Sequence, residues 1–295
     1  MTFIIEMADS HCYTLGESPI WCEKNQRLFF LDIIEKNLLI YDPITGLTQN
    51  RELPYLTSAI TLTTDHHKLL LITVNGIYLY DIAKDSLEQK LAEYPDIPCV
   101  TRPNEAAISP QGELFFGTMG YLEPEKMGNW YKFCHEKQIV ELCGQPVGIS
   151  NTLCWVNQTL YFADSKLNII YQSNDQMKTQ QIFAHAERGS PDGSTLCVEN
   201  KLWNARWGAS ELAIYSLGNQ ATTQIDYISL PAINPTSCCF GGQDLTTLYI
   251  TTASLGLTVD DKWQGRVLAI PFAGKGKFMN RFKLSNINGI KGISE

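Results

Sequence analysis

The sequence predicts an all-β protein: a six-bladed β-propeller with four-stranded antiparallel blades around a central channel. Three observations lead there. Short runs of β-branched and aromatic residues fill the chain, and no sustained apolar pattern of helical period stands out. Six of these runs (RLFFLD, KLLLIT, ELFFGT, TLYFAD, KLWNAR and TLYITT) carry Leu28, Leu69, Leu114, Leu160, Leu202 and Leu248, spaced 41, 45, 46, 42 and 46 residues apart. Each is followed by a second run: LLIYDP, IYLYDI, NWYKFC, IIYQSN, LAIYSL and RVLAIP. A repeat of this length with several strands is the signature of a propeller blade, because one small sheet cannot bury both faces until neighbours pack on it.

Within a unit, the leucine run is expected to be the second strand, with the innermost strand just upstream. The N-terminal run TFIIEMA lies outside the first repeat and is expected to complete the last blade, closing the ring. Residues 1–295 are therefore read as a single domain. Two β-sandwiches would need a spacer near the middle, and residues 140–155 (VELCGQPVGISNTLCW) contain no such linker. Two connections after leucine runs are long, 117–130 and 253–265, and such connections often form binding loops.

Composition narrows the partners. A hydrophobic content of 44% in 295 residues supports a large core, and the net charge of −8 comes without any run of lysine or arginine. Nucleic acid and anionic membrane are thus not expected as partners. Nine cysteines, an odd count without a C-x-x-C pair, suit a reducing cytosol. The start MTFIIEMADSHCY lacks a basic n-region and a long apolar stretch, and no later segment approaches the ~20 apolar residues of a membrane helix. A soluble cytoplasmic protein, monomeric or weakly homodimeric, is expected.

Counting back from each leucine exposes a second regularity. Glu17, Ser58, Asn104, Asn151, Asp192 and Ser237 lie 11, 11, 10, 9, 10 and 11 residues before their leucines. At the entry of the innermost strands these six would form one ring at a mouth of the channel. Asn, Asp and Ser also favour strand starts for local reasons. Two carboxylates and two amides at one register, with no cation among them, nevertheless suit a hard divalent cation such as calcium, magnesium or manganese. Zinc suits these donor types less well.

The motifs LGESPIW, RPNEAAISPQGELFFGTM, GISNTLCW, GSPDG and PTSCCFGG resemble, in that order, those of the regucalcin (senescence marker protein)/gluconolactonase family, from about residue 13 to 252. That family is a six-bladed propeller with a divalent metal in the channel, and many members hydrolyse sugar lactones. The resemblance implies a metal-dependent lactonase acting on a small-molecule sugar lactone. Position by position, it implies that Glu17, Asn151 and Asp192 are ligands of one divalent cation. It implies further that Arg102 and Asn104 face the substrate and that Asp192 is the candidate base, with metal-activated hydroxide as the alternative. Tyr121 stands where the family often has an acid and is expected at the substrate-binding rim. The chain departs from the family at Glu105, Ala106 and Thr152, where Asp, Gly and Gly are usual. Those departures make a non-catalytic, calcium-binding regulatory propeller the alternative to an enzyme.

Other motifs carry less. There is no G-x-S-x-G, and His11, His66, His67, His135 and His185 fall outside the axial positions. His66-His67 reads as a solvated turn, Cys238-Cys239 as buried inner-strand thiols. GKGKF at 274–278 lacks the spacing of a phosphate loop.

Overall fold

The computed structural model of the chain describes residues 3–122, 125–134, 139–217, 224–258 and 261–284. Its strands form six four-stranded antiparallel sheets, the blades of a β-propeller. Each leucine run is the second strand of its blade, and all six leucines are buried to within 1% of their surface. The innermost strands are Gly16–Cys22, Thr57–Leu62, Thr101–Ile108, Ser150–Val156, Ser190–Leu196 and Pro235–Gly241. Each packs against the innermost strands of both neighbouring blades, so the six enclose the channel.

Aromatic side chains fill the wedges between blades. Trp21 of the first blade stacks on Tyr249 of the sixth at 5.9 Å between centroids. Edge-on pairs do the same work between Trp130 and Phe162 (5.5 Å), Phe183 and Tyr215 (5.8 Å), and Trp203 and Phe240 (5.5 Å). Closure follows the expected route. The strand Glu6–Asp9 is the outermost of the sixth blade, pairing Glu6 with Ala269 and Met7 with Leu268. Strands from both ends of the chain thus share one sheet, and opening the ring would cost that whole pairing.

The segment after the last blade strand crosses the mouth where the innermost strands end. Val198 N donates to Lys275 O at 2.8 Å, Asn280 Nδ2 to Ile108 O at 2.8 Å, and Phe282 N to Leu62 O at 2.9 Å. Arg281 Nη2 pairs with Glu23 Oε2 at 2.7 Å. GKGKF belongs to this strap, and a cavity of about 200 Å³ lies between it and the middle of the channel. Among the described residues eight cysteines are free thiols, including the buried Cys238 and Cys239. His135 lies outside the described residues.

Candidate functional site

The six register positions all fall on innermost strands, and every one of those strands carries one extra residue there. The ladders shift between Glu17 and Ile20, Thr57 and Ala59, Pro103 and Ala106, Asn151 and Leu153, Pro191 and Ser194, and Pro235 and Ser237. Such a bulge bends the strand and re-aims the side chains beside it. It also explains the prolines of the motifs. Pro19, Pro103, Pro191 and Pro235 stand in or beside a bulge, where a missing N–H costs no ladder bond. Gly193 has a separate reason, since a Cβ there would meet Ser237 Oγ of the next blade at 2.1 Å.

The bulge frees a backbone N–H, and a carboxylate takes it. Ser18 N donates to Glu17 Oε2 at 2.8 Å, Ala106 N to Glu105 Oε1 at 2.9 Å, and Gly193 N to Asp192 Oδ1 at 3.1 Å. Each acid is thereby held by a backbone N–H of its own strand, and Glu105 also takes the backbone N–H of Thr152 in the next blade. Burial raises the Glu17 carboxyl to about 7, against the pull of Ser18 N–H and the charge of Arg102. Burial and repulsion from Glu17 raise Glu105 to about 8. Asp192 is pushed up by burial and by both glutamates. Glu17 raises both other acids and Glu105 raises Asp192, so the three share one electrostatic neighbourhood.

Arg102 is the cation whose charge acts on Glu17 and Asp192. Arg102 is 7% exposed, and burial lowers its pKa while Glu17 and Asp192 oppose that effect. Its Nη1 donates to Asn104 Oδ1 at 2.6 Å, Pro103 O at 2.9 Å and Ser58 Oγ at 3.3 Å. The ring of Tyr121 lies 5.9 Å from its guanidinium carbon, directly after the strand Leu114–Gly120 and within the long connection 117–130. Tyr121 is held there by its N–H, which donates to Val100 O at 2.9 Å.

The two amides are used differently. Asn151 Nδ2 donates to Ser165 Oγ at 2.8 Å, and Ser165 Oγ donates on to Pro191 O, which fixes the amide with Oδ1 turned the other way. Asn104 gives its oxygen to Arg102 and donates through Nδ2 to Ser150 O at 2.7 Å, with Asn151 Oδ1 at 3.4 Å. Asn104 Oδ1 is therefore committed to the guanidinium, whereas Asn151 Oδ1 receives only that one long contact. Glu17, Asn151, Asp192, Arg102 and Asn104 thus form one connected neighbourhood.

Glu105 was visible in the sequence only as a departure from Asp, yet it lines the channel cavity with Ser18, Ser194 and Ser237. Its place directly after Asn104 was the available signal. The donor set fits a divalent cation. Three carboxylates and one guanidinium leave two formal negative charges, and the donors are oxygens throughout. Among the described residues the group of acids and histidines whose ligand atoms all lie within 4.8 Å of one another is Asp65, His66 and His67, in an exposed turn next to the strap at the far mouth, and Glu17, Glu105 and Asp192 are more widely spaced than that. The Asp65 group does not join the ring.

Comparison with known proteins agrees with this architecture. Residues 15–254 match the SMP-30/Gluconolactonase/LRE-like region. A Bacillus subtilis (strain 168) protein, provisionally named sugar lactone lactonase YvrE, is 31% identical over 88% of this chain and 95% of its own. Regucalcin of Gallus gallus is 29% identical over 98% of this chain and 96% of its own. The crystal structure of a calcium-binding protein, regucalcin, from Agrobacterium tumefaciens str. C58 superposes with a TM-score of 0.87 at 26% identity, covering 96% of this chain and 99% of that one. With four-fifths of its length matched, the chain belongs to the SMP-30/gluconolactonase/LRE-like family.

Proposed function

We propose that this propeller hydrolyses a sugar lactone to the aldonic acid, with Glu17, Asn151 and Asp192 holding a divalent cation, calcium by preference. The observation that carries this reading is the set of three mutually repelling, enclosed carboxylates beside an oriented amide oxygen, beneath Arg102 and Tyr121. Burying such charges uncompensated is costly, and a cation offsets the cost. When bound, it would supply Lewis acidity toward the carbonyl oxygen of the lactone.

The chain's own residues do the rest. Asn104 and Ser58 grip Nη1 of Arg102, which fixes the plane of the guanidinium fork so that it meets sugar hydroxyls or the developing carboxylate. Tyr121 walls the same place. Asp192 keeps Oδ1 on Gly193 N–H and offers Oδ2 to the proton of the attacking water. Water adds to the carbonyl carbon as Asp192 takes its proton, the ring C–O bond breaks, and Asp192 returns that proton to the departing ring oxygen, which becomes a hydroxyl of the aldonic acid. Burial and the two glutamates raise the basicity of Asp192, working against the cation's opposite pull.

The test is acid release from a panel of aldonolactones with and without chelator. Hydrolysis lost on chelation, and lost in Asp192→Ala and Glu17→Gln, is the expected result; activity surviving both substitutions would falsify the assignment. A second reading, a calcium-binding propeller without turnover, draws on the relatives named regucalcin. Tight calorimetric cation binding with no hydrolysis across lactones, aryl esters and phosphotriesters selects it.

A further inference from the structure

Thr152 is the extra residue of the bulge in the fourth blade, fully buried, with φ +51°. A β-branched side chain resists that left-handed conformation, which glycine adopts freely. Its hydroxyl shows what accompanies the strain. Thr152 Oγ1 donates to Asp192 O, in the next blade, at 2.6 Å and lies 2.9 Å from Ser194 Oγ. Asn204 Nδ2 reaches the same carbonyl at 2.8 Å and Ser194 Oγ at 2.9 Å.

The bulge explains why this carbonyl needs them. In the fifth blade the ladder runs from Pro191–Arg206 directly to Ser194–Asn204, so the Asp192 peptide has no place in it. Thr152 and Asn204 supply the missing partners. The Asp192 carboxylate projects from that peptide and is tied back to Gly193 N, so fixing the peptide fixes the acid. Asn151, the residue before Thr152, is joined to the same stretch through Ser165 and Pro191 O. Two adjacent residues of one blade therefore hold two adjacent peptides of the next.

We propose that Thr152 is a positioning residue for the channel cation: its hydroxyl sets the Asp192 carboxylate against the Asn151 amide oxygen across the blade boundary. The inference rests on the cation reading above and concerns this chain's departure from the usual glycine. Groups that orient a metal ligand, without touching the metal, typically change its affinity roughly 10- to 100-fold when removed.

The test titrates the full chain with calcium and with manganese by calorimetry, and melts it in chelator, for Thr152→Ser, Thr152→Val and Thr152→Gly. Thr152→Ser keeps the hydroxyl and is expected within about twofold of the parent, while Thr152→Val and Thr152→Gly lose roughly 10- to 100-fold in affinity. The chelated melting temperature of Thr152→Gly should equal or exceed the parent's, because glycine relieves the strained φ; a purely structural role would lower both readings together. Val or Gly variants binding as tightly as the parent, or a Ser variant as weak as Val, overturn the proposal. A parent that binds neither cation overturns the cation reading as well, whereas a binding parent with unaltered variants overturns this inference alone.

Discussion

Asn104 Oδ1 accepts a 2.6 Å hydrogen bond from Arg102 Nη1, while Asn104 Nδ2 reaches toward Asn151 Oδ1 at 3.4 Å. One amide thus stands between the guanidinium and the amide oxygen assigned to the cation, and its own oxygen belongs to the guanidinium. Asn104→Ala should therefore act on the substrate more than on the metal. Losing a charge-assisted bond of about 1.5–3 kcal/mol corresponds to a KM rise of roughly 10-fold or more. Calorimetric cation affinity should move by less than about 3-fold; an equal loss in both would make Asn104 a ligand.

Tyr121 tests the rim. Its ring lies 5.9 Å from the Arg102 guanidinium, a contact in the range of about 0.5–1 kcal/mol at a partly exposed position. Tyr121→Ala should raise KM for the preferred lactone by roughly 2- to 5-fold with unchanged cation binding. Tyr121→Phe, which keeps the ring, should leave steady-state kinetics unchanged.

The raised carboxyls predict a pH dependence of stability. Glu17 and Glu105 sit near 7 and 8 in the folded protein, well above the ordinary glutamate value of 4.5. Between those values the folded state holds protons that the unfolded chain has released, so stability falls as pH rises. Their contribution is complete below about pH 4.5 and is lost as pH passes about 8. In chelator the melting temperature should drop from pH 5 to pH 8.5 more steeply for the parent than for Glu105→Gln. Added divalent cation should stabilise most at the alkaline end, with proton release on binding. A flat difference between parent and variant would rule out Glu105 as the titrating group.

The strap at the far mouth predicts a separation of stability from chemistry. Phe282 is 2% exposed and packs against Phe133 with ring centroids 6.0 Å apart. Phe282→Ala should cost about 3–5 kcal/mol, read as a lower urea midpoint at an unchanged slope. Cation affinity below the transition should stay at the parent's value, since the ring is built from the opposite ends of the inner strands. A loss of affinity would mean that the strap holds the channel in register.

Much of this was legible in the one-dimensional pattern. The recurrence of Leu28, Leu69, Leu114, Leu160, Leu202 and Leu248 determined the blades, because each unit must bury the same position against its neighbours. The count back to Glu17, Ser58, Asn104, Asn151, Asp192 and Ser237 reached the innermost strands for the same reason, and the strand outside the first repeat had one place to pair. What tertiary structure decided was the direction of individual side chains. A bulge adds one residue to a strand and overrides its two-residue alternation, so where Glu105 points depends on the register Pro103 and Ala106 make with the next strand. The bond from Thr152 to Asp192 spans 40 residues and exists only because two blades meet there. A repeat reports what every blade shares; the contacts between unlike blades arise only when the ring closes.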